Sequence, residues 1–270
     1  MTPSDLITSP FGRHSTADEV IASVDLSKHR AIVTGGSSGI GIETARVLAA
    51  VGAEVTLAVR NVEAGHRVAA SITERTGNSN IAVEPLELAD RHSVQAFVKR
   101  WKGPLNILIN NAGVMLLGPV TGANTDEWRE MLNVNCFGVL YCTHAALPLL
   151  AEAGGGDIVN VSSVAGRQAS LGSAVYNMTK WGVNGFSEGL RQEALHAGIR
   201  VSVIEPGMVE TELLDHNTNP VVLEAAKKMR EQVGTPLSAD DIARMILYIV
   251  SQPEHVAVNE VLIRPTRQSR

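Results

Sequence analysis

Tyr176 and Lys180 stand four positions apart in VYNMTK, within an apolar, helix-forming stretch, so phenol and ammonium share one helix face. With three Tyr and six Lys in the chain, that spacing is expected by chance on the order of 0.07 times. The pair is suggestive but insufficient alone, because a surface pair with a snorkelling lysine looks the same. TGGSSGIG, residues 34–41, offers a second chemistry. Glycines 35, 39 and 41 permit a tight turn, approach of the backbone to a pyrophosphate at a helix N-terminus, and close packing of helix on strand. An ordinary strand-to-helix turn is the competing reading. A third signal is Val59-Arg60-Asn61, which stands where an NAD-selective protein commonly places a carboxylate against the ribose 2′-hydroxyl. A guanidinium there would meet a 2′-phosphate with a charge-assisted fork, and no acid repels that phosphate. NADP(H) is therefore favoured over NAD(H), with Arg60 as a mere solvated loop charge as the alternative.

These residues need a scaffold that brings them together. Short β-branched runs (RAIVT, EVTLAV, NIAVEPL, LNILI, DIVNV, RVSVIE, EVLIR) alternate with helical patterns, including long ones at about 124–150 and 172–196 and another at 239–251. Seven strands with intervening helices predict an α/β fold, a doubly wound parallel sheet of the Rossmann type covered on both faces, in one domain. Asn110 to Gly113, Ser162-Ser163 and the glycine loop all follow strands, so they fall on the carboxyl edge beside a dinucleotide crevice, where Asn135 and Tyr176-Lys180 can join them. Residues 1–27 read as a polar arm with a short helix capped by Thr16 and Glu19, and residues 28–270 as the catalytic domain, with a substrate lid at about 212–237.

Composition excludes other classes. At 270 residues, 44% hydrophobic and 19% charged, the chain can bury a sizeable core. A net charge of −5 with scattered basic residues advertises neither nucleic acid nor an anionic membrane as partner. Eight histidines form no H-E-x-x-H and no Cys/His cluster, so no protein-bound metal is expected. Cys136 and Cys142, six apart in a helix, do not face each other and fit reduced thiols of a cytosol. The N-terminus lacks a basic region followed by an apolar core, and no apolar run approaches about 18 residues. A cytoplasmic protein acting on small molecules is expected.

With these motifs in hand, the chain resembles the short-chain dehydrogenase/reductase family over about residues 28–264. TGGSSGIG, NNAG, the Asn of NVNCFG, a Ser thirteen residues before the Tyr, YNMTK, and Pro206-Gly207 with Thr211 occur in the family's order and spacing. The resemblance implies that Tyr176 is the acid/base, Lys180 its electrostatic partner and a ribose ligand, Ser163 the hydroxyl orienting the carbonyl, and Asn135 a holder of a water linking Lys180 to solvent. It implies cofactor contacts from Gly35, Ser37, Ser38, Gly39, Ile40, Gly41, Arg60, Asn61, Glu87, Leu88, Asn111, Ala112, Gly113, Pro206, Gly207, Val209 and Thr211, with Glu87 standing where the family more usually has Asp. Ionising a phenol at pH 7 costs roughly 4 kcal/mol, and an ammonium about 4 Å away at an effective dielectric near 20 returns about as much.

The stretch from FGRHSTADEV through VTLAVRN resembles retinol-dehydrogenase-type members. From NNAGVMLLGPV onward the chain is more similar to bacterial NADP-dependent 3-hydroxy acid dehydrogenases and the clavulanate-pathway aldehyde reductase. The implied activity is NADP(H)-dependent hydride transfer between the nicotinamide and a ketone, aldehyde or 3-oxo acid and the matching alcohol. NAD(H) dependence, or a non-catalytic dinucleotide-binding regulator, is the alternative. Met208, Leu213 and Leu214 either line a pocket or pack a helix, and Arg167 and Gln168 either meet a polar substrate group or lie on the surface. A homotetramer or homodimer built through the two long helices is expected, with Trp181, Val183 and Phe186 crowding the second.

Overall fold

The computed structural model describes residues 24–217 and 219–269; the arm and its Thr16–Glu19 cap lie outside the described residues. Seven parallel strands form one sheet: β1 (Arg30–Thr34), β2 (Glu54–Val59), β3 (Ile81–Pro85), β4 (Ile107–Asn110), β5 (Gly156–Val161), β6 (Ile199–Pro206) and β7 (Glu260–Ile263), in the order β3-β2-β1-β4-β5-β6-β7. Helices join them: α1 (Gly39–Ala50), α2 (Val62–Thr76), α3 (Arg91–Arg100), α4 (Thr125–Leu132), α5 (Val139–Glu152), α6 (Ala174–Ala194), α7 (Pro220–Val233) and α8 (Ala239–Val250). This is the predicted Rossmann-type α/β domain.

Central strands are apolar on both faces because helices cover both, as a parallel sheet requires. Alternate residues feed two cores. Val33, Val55, Leu57 and Ile109 meet Ala45 and Leu48 of α1 and Ile242 and Ile246 of α8. Ile32, Leu108 and Ile158 meet Val94 and Phe97 of α3, Cys142 and Leu150 of α5 and Leu190 of α6. The helices start on the caps their sequences supply: Asn61 for α2, Asp90 for α3, and a reciprocal Ser238–Asp241 capping box for α8.

The predicted helix over 124–150 is broken where the sequence shows no proline. Asn133–Gly138 forms a π-type turn between α4 and α5, the widened helix that recurs at functional positions. The whole stretch Thr125–Glu152 is long and apolar enough to cross a membrane, a correction to the expectation from the sequence. In this fold its Cys142, Ala146 and Leu150 pack on the sheet. Packing also begins earlier than Arg30: Leu26 is buried in the first core and its N–H donates to the Val51 carbonyl at 2.8 Å.

Candidate active site

The sheet order reverses at β1, with β2 and β3 on one side and β4 to β7 on the other. That opens a crevice at the carboxyl ends of β1 and β4. The first wall is the glycine loop after β1. Gly35 and Gly39 take left-handed backbone (φ 65° and 48°), which strongly favours glycine. A Cβ on Gly41 would overlap the Gly35 carbonyl oxygen and come within 2.6 Å of Asn111 Nδ2. Ser38 is extended and its side chain makes no capping hydrogen bond to α1, so the first N–H groups of α1 have no side-chain acceptor from it. Glycine cradle and uncapped helix start fit a dinucleotide pyrophosphate.

The loop after β4 is tied to that cradle. Asn111 Nδ2 donates to the carbonyls of Thr34 (2.9 Å) and Gly35 (3.4 Å), while Thr34 Oγ1 accepts from the N–H groups of Asn111 (3.0 Å) and Ala112 (3.1 Å). Asn135, in the π-type turn, accepts from Val114 N–H and donates to Val114 C=O, both at 2.8 Å, and donates to Thr179 Oγ1 at 3.2 Å. Its side-chain amide is thus occupied by protein partners. A Cβ on Gly113 would lie 3.3 Å from Asn135 Oδ1 and 3.6 Å from Lys180 Nζ, so the NNAG loop, the π-type turn and α6 meet here.

Tyr176 and Lys180, on the first two turns of α6, are both buried. Ser163, after β5, is the phenol's hydrogen-bonding neighbour and accepts from Ala165 N–H at 3.1 Å. Asn177 clamps that loop to α6, donating to the carbonyls of Ala165 and Gln168 at 2.7 Å each. Burial pushes the Tyr176 phenol up to about 12, with the Ser163 hydrogen bond pulling the other way. Burial likewise pulls the Lys180 ammonium down to about 8. Lys180 Nζ donates to Val161 C=O at 3.0 Å and lies 5.7 Å from the Tyr176 ring centroid. Burial is the larger of the two influences on the phenol.

The outer positions divide. Thr211 lies against the glycine loop, since a Cβ on Gly39 would be 3.1 Å from its Cγ2. Pro206 ends β6, Gly207 N–H donates to Ile263 C=O at 2.7 Å, and Val209 bridges Leu237. Ile40 and Ser37 are half-buried in the glycine loop and Leu88 is buried beside Gly138. Arg60 stands at the end of β2, its side chain 71% exposed, with Glu87 Oε2 4.0 Å away. Asn61 Oδ1 is committed to capping α2 through Ala64 N–H. Arg167 is held in ion pairs: its Nε meets buried Glu205 at 2.6 Å and another nitrogen pairs with Glu260, which fits the surface alternative of its two readings. Met208, Leu213 and Leu214 are half-buried rather than core. Of the aromatic and apolar residues on α6, Val183 is buried and Phe186 half-buried, whereas Trp181 is 53% exposed.

Thr34, Thr179, Asn177 and Asn217 organise the site without having been singled out in the sequence. Their only signal is adjacency to TGG, YNMTK and the lid.

Comparison with known proteins agrees with this geometry. The family model described as short chain dehydrogenase matches residues 29–221. An uncharacterized oxidoreductase of Staphylococcus saprophyticus is 36% identical over 88% of this chain and 96% of its own. Glycine betaine reductase of Emericella nidulans is 38% identical over 89% of this chain, which matches only 19% of that much longer protein. Among solved structures, the closed form of serine dehydrogenase complexed with NADP+ superposes with a TM-score of 0.80 at 28% identity, covering 89% of this chain and 96% of that one. A metagenomic short-chain oxidoreductase in complex with NADP gives 0.75 at 30% identity, covering 89% and 98%. A family match across most of the fold, relatives of matching length, and the glycine cradle facing a buried Tyr–Lys pair lead to one conclusion: this chain belongs to the short-chain dehydrogenase family and is an oxidoreductase.

Proposed function

We propose that the protein is an NADP(H)-dependent reductase of a ketone, aldehyde or 3-oxo acid, working reversibly on the corresponding alcohol. The observation that carries this reading is the buried Tyr176 phenol beside Ser163 and one turn from Lys180, at the carboxyl edge of the sheet. A bound reduced nicotinamide supplies the hydride. Tyr176 donates its proton to the developing alkoxide, and the Ser163 hydroxyl donates a hydrogen bond to the same oxygen. Lys180, one turn along α6, stabilises the phenolate left behind and is within reach of a ribose hydroxyl. Asn135 acts one step away, holding Val114 and Thr179 so that the NNAG loop stays against α6.

Preference for NADP(H) rests on Arg60. No acid ends β2, and among the described residues the guanidinium pairs only through a long, solvent-exposed contact to Glu87, a pairing weak enough to yield to a phosphate. The NADP complexes among the similar structures support it. The proposed lid, a short 3₁₀ turn at Glu212–Leu214 followed by α7, carries half-buried Leu213 and Leu214, which would suit a substrate with an apolar portion. Assembly through the long helices, as homotetramer or homodimer, is supported by exposed Phe137, Leu140, Met178 and Trp181. Open space over Gly182, Gly185 and Gly189 on α6 would let a second helix approach.

The test is consumption of NADPH and NADH at 340 nm against a panel of aldehydes, ketones and 3-oxo acids. NADPH consumption with at least one carbonyl, faster than with NADH, is expected. Binding of NADPH with no turnover of any panel member would overturn the enzymatic reading in favour of a dinucleotide-binding regulator.

A further inference from the structure

Residues 114–117 leave the NNAG loop, and side-chain amides rather than a neighbouring strand satisfy several of their backbone groups. Asn135 takes both the N–H and the C=O of Val114, as described above. Asn217 does the same further along: its Oδ1 accepts from Leu117 N–H at 2.7 Å, and its Nδ2 donates to Met115 C=O at 2.9 Å. The same Nδ2 donates to Leu214 C=O at 3.1 Å, holding its own 3₁₀ turn. Asn217 is 6% exposed, amid neighbours at 212 and 214–216 that are half-buried or exposed. It is therefore the point at which the lid segment is fastened to the wall of the active site. An amide that pairs with a peptide through both its acceptor and its donor cannot be replaced by an apolar residue without orphaning Met115 C=O and Leu117 N–H.

We infer that Asn217 is a positioning residue that latches the lid onto the 114–117 platform and thereby sets affinity for the carbonyl substrate. The inference rests on the reductase reading above and adds to it the element that shapes the pocket. The platform is shared: Asn135 grips its near end from the turn that also contacts Thr179 on α6, and Asn217 grips its far end from the lid. Releasing Asn217 unties the 3₁₀ turn that carries Leu213 and Leu214 from Met115 and Leu117 but leaves Asn135, Tyr176, Lys180 and the glycine cradle in place. The substrate term should therefore move without the proton-transfer term.

The experiment compares the parent chain with Asn217→Ala and Asn217→Asp, the latter keeping an acceptor for Leu117 N–H while losing the donor to Met115 C=O. Three quantities are read: KM for the panel carbonyl turned over fastest, NADPH affinity by fluorescence titration, and hydrogen exchange of peptides spanning 114–117, 212–214 and α7. Asn217→Ala is expected to raise the carbonyl KM at least fivefold with kcat within about threefold and NADPH affinity within about twofold, and to speed exchange in those peptides but not in α6. Asn217→Asp should fall between the two, and it carries the test if the Ala variant does not fold. A general loss of packing would instead move NADPH affinity and α6 exchange as well, which overturns the inference. An active parent whose variants keep the carbonyl KM within twofold also overturns it and leaves the reductase reading standing. A parent that turns over no carbonyl fails that reading and the inference with it.

Discussion

Lys180→Met should make the folded chain more stable at neutral pH while crippling it as an enzyme. Lys180 is 5% exposed, and among the described residues its Nζ has one hydrogen-bond acceptor, Val161 C=O at 3.0 Å. No carboxylate pairs with it among the described residues. Burial pulls its pKa from 10.5 down to about 8, so holding the ammonium in the fold at pH 7 costs about 3 kcal/mol relative to the unfolded chain. Met is an unbranched, flexible side chain of similar length that fits the same channel; it leaves Val161 C=O unpaired, at a cost of about 1 kcal/mol. The variant should gain roughly 2 kcal/mol at pH 7, seen as a urea midpoint higher by roughly 0.5 M. The sign follows from the depressed folded pKa. Between about pH 8 and 10.5 the unfolded chain binds more protons than the folded one, so wild-type stability rises with pH relative to the variant. The penalty is whole below pH 8 and gone above 10.5, where the variant should be the less stable protein by the lost hydrogen bond. Urea unfolding of both proteins without nucleotide, at matched concentration and at pH 7 and pH 10.5, tests this. A variant less stable at both values, or a gap that does not change with pH, would show that the ammonium is compensated in the fold and that the burial argument fails.

The Tyr176 phenol, pushed up to about 12 by burial, should add no phenolate absorbance at 295 nm below about pH 11 when the parent is compared with Tyr176→Phe; a step near pH 10 would mean that the site is wetter than the structure implies. Gly41→Ala should abolish nucleotide binding in a titration, because its Cβ would overlap the Gly35 carbonyl and crowd Asn111 Nδ2 at 2.6 Å; retained affinity would mean that the cradle yields. Arg60→Ala should raise KM for NADPH about tenfold, the low end for a charged hydrogen bond at a solvent-exposed site, and leave NADH nearly unchanged. Equal effects on both nucleotides would return Arg60 to being a solvated charge. Trp181→Glu should lower the mass seen by light scattering, since a 53% exposed indole on α6 is proposed to lie in the subunit contact; a parent with monomer mass near 28.7 kDa would refute the contact outright.

The seven strands and their covering helices were legible because parallel strands buried on both faces leave unbroken β-branched runs, and the glycine loop because positive φ and close backbone approach admit little else. Tyr176 and Lys180 were legible through their spacing. Their energetics were not, because the cost of burying a charge depends on which carbonyls and carboxylates the fold brings near. The sequence places an ammonium beside a phenol, and the structure adds that both are buried and that the ammonium donates to Val161 C=O, so burial disfavours the charged form of each. Arg167 stayed undecided in the sequence for a related reason: Glu205, 38 positions away, meets it only because β6 lies beside β5. The π-type turn has the same apolar pattern as the α-helix around it, and nothing in LNVNCFG marks the widened turn until Asn135 is seen reaching Val114. Thr34, Asn177 and Asn217 hold the site through backbone groups, and a polar side chain that pairs with a peptide carries no sequence pattern of its own.

The central claim is that Tyr176 is the proton donor at a carbonyl reduced by a nicotinamide held in the glycine cradle. It is tested most directly by single-turnover NADPH oxidation at 340 nm in the parent and in Tyr176→Phe, with NADPH binding to both measured by fluorescence. Removing the hydroxyl leaves cradle, helix and lid in place, so the account predicts unchanged NADPH affinity and a hydride-transfer rate lower by about three orders of magnitude or more. A Tyr176→Phe chain that binds NADPH and oxidises it within about tenfold of the parent would contradict the account, because the proton would then have to come from another group.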